Sequence, residues 1–403
     1  MERKLIQLSD VITDIAAGPF GSNLKVSCFV NDGFPIIDGA NLKSFKVTDN
    51  ITKFVTEEKA RSLHRSIAKR GDIVVTISGT LGQIAYIPED SKYEEYLCSQ
   101  RQFRVTFDTT KVYVPYLAFY FHTYEGQHKI LSFANQVGVP ALSQPLKNFR
   151  RITIQLPDID TQKKIAIFVE LINEKIEQNE SINNNLLEQV LTLYRNRFVD
   201  TANNERRICR ADEYFDISIG KTPPRKEPQW FSTNPQDVTW VSISDMGTCG
   251  LYISSSSEQL TKEAVDRHNV KIVPDNTVLL SFKLTVGRIA ITNGEMTTNE
   301  AIAHFKTDKK EINEYLYCYL KCFNYQTMGS TSSIATAVNS KIIKGMPFVV
   351  PTDDELIDFH SVAAPMFAKI KANQTESEKL TAVRDTLLPK LMSGELDVSG
   401  IDL

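Results

Sequence analysis

The chain lacks most of the features that announce a secreted protein, a membrane protein or a metal site. Cysteine is sparse: Cys28, Cys98, Cys209, Cys249, Cys318 and Cys322 are the only six in 403 residues, with no C-x-x-C pair and no His/Cys cluster at zinc spacing. Neither a disulfide framework nor a structural zinc is indicated, and reduced, mostly buried thiols are expected. Long apolar runs are missing too. No stretch of about 18 apolar residues occurs, and Met1-Glu2-Arg3-Lys4-Leu5 leads into polar Gln7, Ser9 and Asp10 without the apolar core of a signal peptide. The expected location is the cytoplasm. A dominant charge is also absent, since the formal net charge of −3 argues against a general polyanion binder.

Catalytic motifs are equally scarce. Gly220-Lys221-Thr222 resembles the end of a phosphate-binding loop, but the earlier glycine that such a loop requires is Phe215. No G-x-G-x-x-G opens a helix, and no G-x-S-x-G elbow appears. Asp38 followed by Glu57-Glu58-Lys59 fits a loose metal-nuclease spacing that chance supplies in chains of this length; a charged helix start after Val55-Thr56 accounts for it better. His122 and His128 lie in an aromatic helical stretch, where packing is a better explanation than metal binding.

What is present is enough chain for two to four domains, with 42% hydrophobic and 24% charged residues, the proportions of a globular protein. Its charge is segregated. Residues 1–155 and 201–350 are mildly basic (net +4 and +1), while 156–200 and 351–403 are acidic (−3 and −5), so different segments are expected to face different partners.

The chain also repeats itself. Gly71–Ala85 aligns without gaps on Asn276–Ala290 at an offset of 205, with Thr80/Thr285, Gly82/Gly287, Ile84/Ile289 and Ala85/Ala290 identical. Each copy predicts a β-branched strand, a polar turn whose Gly supplies positive φ or close approach, and a second strand. Further on, Ile152–Pro157 matches Met346–Pro351 at an offset of 194. A period near 200 residues means a duplicated domain pair.

Beyond each closing proline the pattern becomes helical. In the first copy Ile165, Phe168, Ile172, Ile176, Ile182, Leu186, Val190 and Leu193 recur at threes and fours; in the second, Phe359, Val362, Met366, Ile370, Leu380, Val383, Leu387 and Leu391 do the same. Pro365 is expected to kink the second helix. A helix of ~40 residues at about 1.5 Å each outruns a small domain, so the two are expected to pair with each other. Asn179 and Asn373 fall at equivalent positions, either on the seam, where they would fix register, or facing solvent.

The polar chemistry is that of recognition. Loops such as Asn41-Leu42-Lys43-Ser44, Ser99-Gln100-Arg101-Gln102, Lys221-Thr222-Pro223-Pro224-Arg225-Lys226 and Thr297-Thr298-Asn299-Glu300 carry side chains that donate and accept at base edges and phosphates. Following the repeat, the candidate DNA contacts are Lys43, Ser78, Thr80, Gln100 and Arg101 in the first block, and Lys221, Arg225, Lys283, Thr285, Arg288 and Asn299 in the second. A bare coiled-coil scaffold would explain the helices but not two similar loop-rich blocks. A self-sufficient nuclease or methyltransferase would need the missing motifs.

The order of elements resembles the specificity subunit of Type I restriction-modification systems over essentially the whole chain. Gly18-Pro19-Phe20-Gly21-Ser22 is similar to the opening turn of that family's target recognition domain, Leu156–Ala166 (LPDIDTQKKIA) to its entry into the first helix, and Leu387–Leu396 (LLPKLMSGEL) to its C-terminal segment. Pro351–Leu356 lacks the Gln-Lys-Lys of the first helix entry, and Gly220–Pro224 departs from the Gly-Pro-Phe-Gly opening. The resemblance implies an α+β chain: a recognition domain over 1–157, a spacer helix over 158–200, a second recognition domain over 201–351, and a second helix with tail over 352–403, the helices pairing as an antiparallel coiled coil. It further implies a non-catalytic reader of double-stranded DNA with a bipartite target. Two methyltransferase subunits carrying S-adenosylmethionine, and restriction/translocase subunits using ATP and magnesium ion, would dock on it, and this chain itself would bind no cofactor or metal.

Overall fold

The computed structural model describes residues 3–135, 138–200, 206–328 and 338–398. They divide into two compact units, Met1–Lys175 with Leu380–Leu403, and Ile176–Lys379. The architecture is α+β, two strand-rich blocks alternating with two long helices, α1 (Ile159–Tyr194) and α2 (Asp353–Ser393). α2 runs unbroken through Pro365, and α1 ends in one π-helical turn, Arg195–Val199.

The first unit is built on the hairpin that the repeat predicts, β1 (Ile73–Thr76) and β2 (Ile84–Tyr86), paired antiparallel. β1 also pairs with Gln102–Phe107, which in turn pairs with Ile12–Ala17, giving a four-stranded sheet. Successive β1 side chains point to opposite faces, and both faces are covered. Ile73 and Val75 enter a cluster with the aromatic helix Val114–His122, whereas Val74 enters another with Ile37, Tyr96 and Cys98. A strand buried on both sides needs the unbroken β-branched run seen here. The helix cluster is completed by Ile165, Ala166 and Val169 of α1 and by Leu388, Leu391 and Met392 of α2.

The second unit repeats this plan. β3 (Val278–Ser281) and β4 (Ile289–Thr292) form the antiparallel hairpin, β3 pairs with Ile302–Lys306, and that strand pairs with Asp216–Ile219. One extra short strand, Tyr252–Ile253, joins the edge in parallel with β4. Val278 and Leu280 face one core and Leu279 another. The first core takes in Val190, Leu191 and Tyr194 from α1 and Leu356, Phe359, Ala363, Phe367 and Ile370 from α2.

Each long helix therefore lends its two ends to different units. Of the apolar positions in the sequence pattern, Ile165, Ile172, Val190, Phe359 and Ile370 are buried, and Phe168, Leu186, Leu193, Met366 and Leu387 are half-buried against the same clusters. Ile176 and Leu380 are also half-buried. Ile182, Val362 and Val383 depart from the expected pattern, being 43%, 39% and 46% exposed. The buried line of α2 runs through Phe359, Ala363, Phe367 and Ile370, and Val362 sits about 100° away from it on a 3.6-residue helix. Likewise Arg384, not Val383, turns inward, its guanidinium 5.3 Å from the Phe45 ring centroid and bonded to Asn173 at 2.8 Å.

The two helices run antiparallel where they meet. Asn179 donates to Glu376 at 2.9 Å and to Ser377 at 3.3 Å, while Asn373 donates to Asn183 at 2.8 Å, so rising numbers on α1 meet falling numbers on α2. Both asparagines are 1% exposed, which places them on the seam. A buried amide cluster of this kind penalises any slipped register. Arginines close the helix ends. Arg3 donates to the carbonyls of Leu391 and Met392, and Arg206 to those of Arg197 and Phe198, also pairing with Glu355 at 2.8 Å. Cations there satisfy terminal carbonyls and oppose the negative end of the dipole. All six cysteines are free, with Cys98, Cys209 and Cys318 buried and the rest half-buried.

Two stability predictions follow from this packing. Phe359 is fully buried among Tyr194, Phe198 and Tyr315, so Phe359→Ala is expected to cost the second unit about 3–5 kcal/mol, read by denaturant unfolding. His304 is held between Ser218 and Thr298, at 3.0 and 2.7 Å, and burial, with Lys306 adding to it, pushes its pKa from 6.5 down to about 3. The unfolded chain takes up a proton between those values that the native chain refuses. Stability should therefore fall as pH drops from 6.5 toward 3, by up to about 1.4 kcal/mol per pH unit, and His304→Gln should flatten that slope. An unchanged slope in the variant would remove His304 from the account.

Candidate nucleic-acid interface

Four loops of the first unit leave the same end of its sheets. They follow Ile12–Ala17, Phe34–Ile37, β1 and Glu95–Cys98, and all four line one open cleft of about 750 Å³, the first through Leu24 and Val26. Their backbones are locked together. Gly18 N–H donates to Gln102 O at 2.7 Å, Ser99 N–H to Ile37 O at 2.9 Å, and Ile77 N–H to Arg101 O at 2.6 Å. A Cβ on Gly18 would lie 1.9 Å from Ser99 O, so only glycine fits that turn. Gly82, at φ +86°, returns the hairpin, and Gln127 donates to its carbonyl at 2.9 Å.

Within this frame the polar side chains divide into braces and free groups. Gln83 donates to Gly39 O at 2.9 Å and accepts from Thr76 at 3.1 Å, and buried Gln102 accepts from Ser99. Asp38 caps the turn Gly39–Asn41 and meets Lys53 at 2.5 Å. Burial disfavours its charge, but Lys53 and the Ala40 N–H outweigh that and hold the carboxyl below the ordinary range. Asp38 is thus engaged by Lys53 and by turn backbone, and Glu57 pairs with Arg61 at 2.8 Å. No group of three or more His, Cys, Asp or Glu among the described residues could hold a metal ion.

The free groups are those named from the repeat. Lys43, Ser78, Thr80, Gln100 and Arg101 all line the cleft. Lys43, Thr80, Gln100 and Arg101 are exposed and Ser78 is half-buried. The cleft thus offers two cations, two hydroxyls and an amide to a ligand outside the chain, over a floor already satisfied by Gln83 and Gln102. Gln83 and Lys53 were not foreseen, and Gln102, named with its loop as recognition chemistry, is instead a buried brace that accepts from Ser99. The one signal for Gln83 was its alignment at offset 205 with Arg288.

That alignment also explains the second unit. Arg288 donates to Ile243 O at 2.5 Å, bracing a loop just as Gln83 braces Gly39. Ser99 N–H to Ile37 O has its counterpart in Asn299 N–H to Val241 O, also 2.9 Å, and Gly18 has its counterpart in Gly220, whose Cβ would lie 2.2 Å from Asn299 O. Of the six residues named there, four have work inside the unit. Besides Arg288, Asn299 accepts from Ala301 N–H at 3.0 Å, and Lys221 donates to His268 O at 2.6 Å. Arg225 forms a two-pronged pair with Glu258, both bonds 2.9 Å, with its guanidinium over Phe231 and Trp240. Lys283 and Thr285 remain exposed at the hairpin tip. Glu300 occupies the place of Gln100 and accepts from Thr222; burial raises its pKa, but Thr222 and the cations Lys283 and Arg225 more than offset this, so it stays charged.

No helix among the described residues is long and apolar enough to cross a membrane. Residues 22–188 and 207–381 match the family described as Type I restriction modification DNA specificity domain. The chain is 26% identical over 184 residues to the Type I restriction enzyme HindI specificity subunit of Haemophilus influenzae, covering 45% of this chain and 39% of that subunit. It is 24% identical over 373 residues to the MjaIX specificity subunit of Methanocaldococcus jannaschii, covering 85% and 82%. Its fold is similar to the crystal structure of the Type I system S subunit from M. genitalium, with a TM-score of 0.59 and 14% identity over 97% and 96% of the two chains. Matched across both of its repeats, the chain belongs to the family of Type I restriction-modification DNA specificity subunits.

Proposed function

We propose that this chain reads a split DNA target, one half with each strand-rich unit, as the non-catalytic specificity subunit of a Type I restriction-modification complex. The observation that carries the reading is the first unit's cleft, where Lys43, Ser78, Thr80, Gln100 and Arg101 converge without internal side-chain partners. Gln and Arg can each make two hydrogen bonds to a base edge, and Lys and hydroxyls reach phosphate. Duplication of the same loop frame at two places in one chain supports a target of two parts, and the paired helices supply the fixed gap between them.

Chemistry belongs to the partners. Two methyltransferase subunits would bring S-adenosylmethionine, and restriction/translocase subunits would bring ATP and magnesium ion, with the acidic helical segments serving as docking surface rather than DNA ligand. The working compartment is the cytoplasm. Because the recognition blocks are only mildly basic, the isolated chain is expected to bind DNA weakly until methyltransferase subunits join it; tight, selective binding by the chain alone would contradict this.

The first test is a single-molecule methylome of the source organism with and without the gene. Loss of methylation at one bipartite motif with a fixed gap is expected, and an unchanged methylome with partners expressed would refute the assignment. Arg101→Ala or Gln100→Ala should then weaken binding by roughly 1–3 kcal/mol and relax only one half of that motif. A uniform loss on every sequence would make the residue a phosphate contact instead.

A further inference from the structure

The tip of the second hairpin carries a side chain that folding does not explain. Leu284, between β3 and β4, is 98% exposed, and its φ is +60°, a region that leucine rarely adopts. Thr285 N–H donates to Lys283 O at 2.7 Å, so Leu284 is the middle residue of a γ-turn of the strained, positive-φ kind. The loop is not loose. Ser281 Oγ donates to Thr285 O at 2.6 Å and accepts from Arg288 N–H at 3.0 Å, Gly287 N–H donates to Ser281 O at 3.0 Å, and the Tyr325 ring packs against Gly287. An apolar side chain is thus fixed in water on a backbone that opposes it. The equivalent residue in the first unit, 205 positions earlier, is Gly79 at φ +99°, which meets the same backbone demand without strain.

We infer that Leu284 is a specificity-determining residue that presses on the apolar surface of DNA bases in the half of the target read by the second unit. The inference rests on the DNA-reading function proposed above and adds the kind of contact. Exposed Lys283 and Thr285 flank the leucine and suit phosphate and sugar, so the tip presents an apolar point between two polar anchors. Two base surfaces can receive it: the 5-methyl group of thymine at a groove edge, or the face of a partly opened base step, into which leucine is a known kind of wedge. Backbone strain held by a braced loop at a binding face is a recurring mark of function, and here it preorganises the contact before DNA arrives.

The test sets binding against stability in one variant, Leu284→Gly, using the full chain assembled with methyltransferase subunits. Native and variant complexes are each incubated with double-stranded oligonucleotides of randomised sequence, and the bound fraction is sequenced. The variant is expected to bind the natively selected duplex roughly 10- to 100-fold more weakly, to lose preference in one half only, and to melt at the same temperature as the native chain or higher. Equal affinity and selection, or a lowered melting temperature, would overturn the inference. Deoxyuridine in place of thymidine should reproduce the loss if the methyl group is the contact; 2-aminopurine fluorescence that rises with the native complex alone should report an opened step. Neither response would also overturn it. Failure of the native complex to select any sequence would instead sink the DNA-reading function itself.

Discussion

The structure depends on how two helices too long for any single domain keep their apolar faces dry. α1 buries Ile165, Ala166 and Val169 in one core and Val190, Leu191 and Tyr194 in another; α2 does the same with Leu388, Leu391 and Met392, and with Phe359, Phe367 and Ile370. Neither strand-rich block has a complete core without these ends, and neither helix is covered without the blocks. At roughly 25 cal/mol for each Å² of apolar surface, burial of large side chains at both ends makes helix and block a single cooperative structure rather than a reader attached to a spacer. The Asn179 and Asn373 cluster then selects one register, and Arg3 and Arg206 satisfy the carbonyls that the helices leave open.

Against that shared frame, the two units differ where a ligand would be met. Gly18 and Gly220, Gly82 and Gly287, and the braces Gln83 and Arg288 hold equivalent turns. The tips they support are chemically unlike: Ser99-Gln100-Arg101 stands opposite Asn299-Glu300-Ala301, and Gly79 opposite Leu284. Under the proposed function, a constant frame with unlike tips would let two readers of one geometry recognise different bases.

Much of this was legible in the sequence, and the reasons are physical. The hairpins were visible because a strand buried on both faces reads as an unbroken apolar run, Ile73-Val74-Val75 in one copy and Val278-Leu279-Leu280 in the other, and the helices because burial at a 3.6-residue period leaves a long pattern. The α+β alternation followed from both. Individual side chains were less legible. Val362 and Val383 fit an apolar period that drifts off the buried line, and no pattern of types distinguishes them from Ala363 or Arg384, which the packing selects. Lys221, Arg225, Arg288 and Asn299 have the right chemistry for DNA, yet in the structure they bond to partners distant in sequence or to turn backbone. The difference between a free donor and an engaged one is tertiary, and so it was hidden. Gln83 was hidden for the opposite reason, since an amide in a strand return carries no charge to attract notice.

The path of the chain through the two cores has a further consequence, for synthesis on the ribosome. The second unit is continuous, Ile176–Lys379, and all of its core residues can be present while the chain is still being extended. The first unit is not: Leu388, Leu391 and Met392, and the carbonyls to which Arg3 donates, arrive last. Its sheet and aromatic helix must therefore wait with an apolar face open until some two hundred later residues have been made, inverting the usual order in which the first-made domain folds first. A chain that loses the segment around Leu388–Met392 would therefore leave an apolar face of the first unit without the cover that its own sequence supplies.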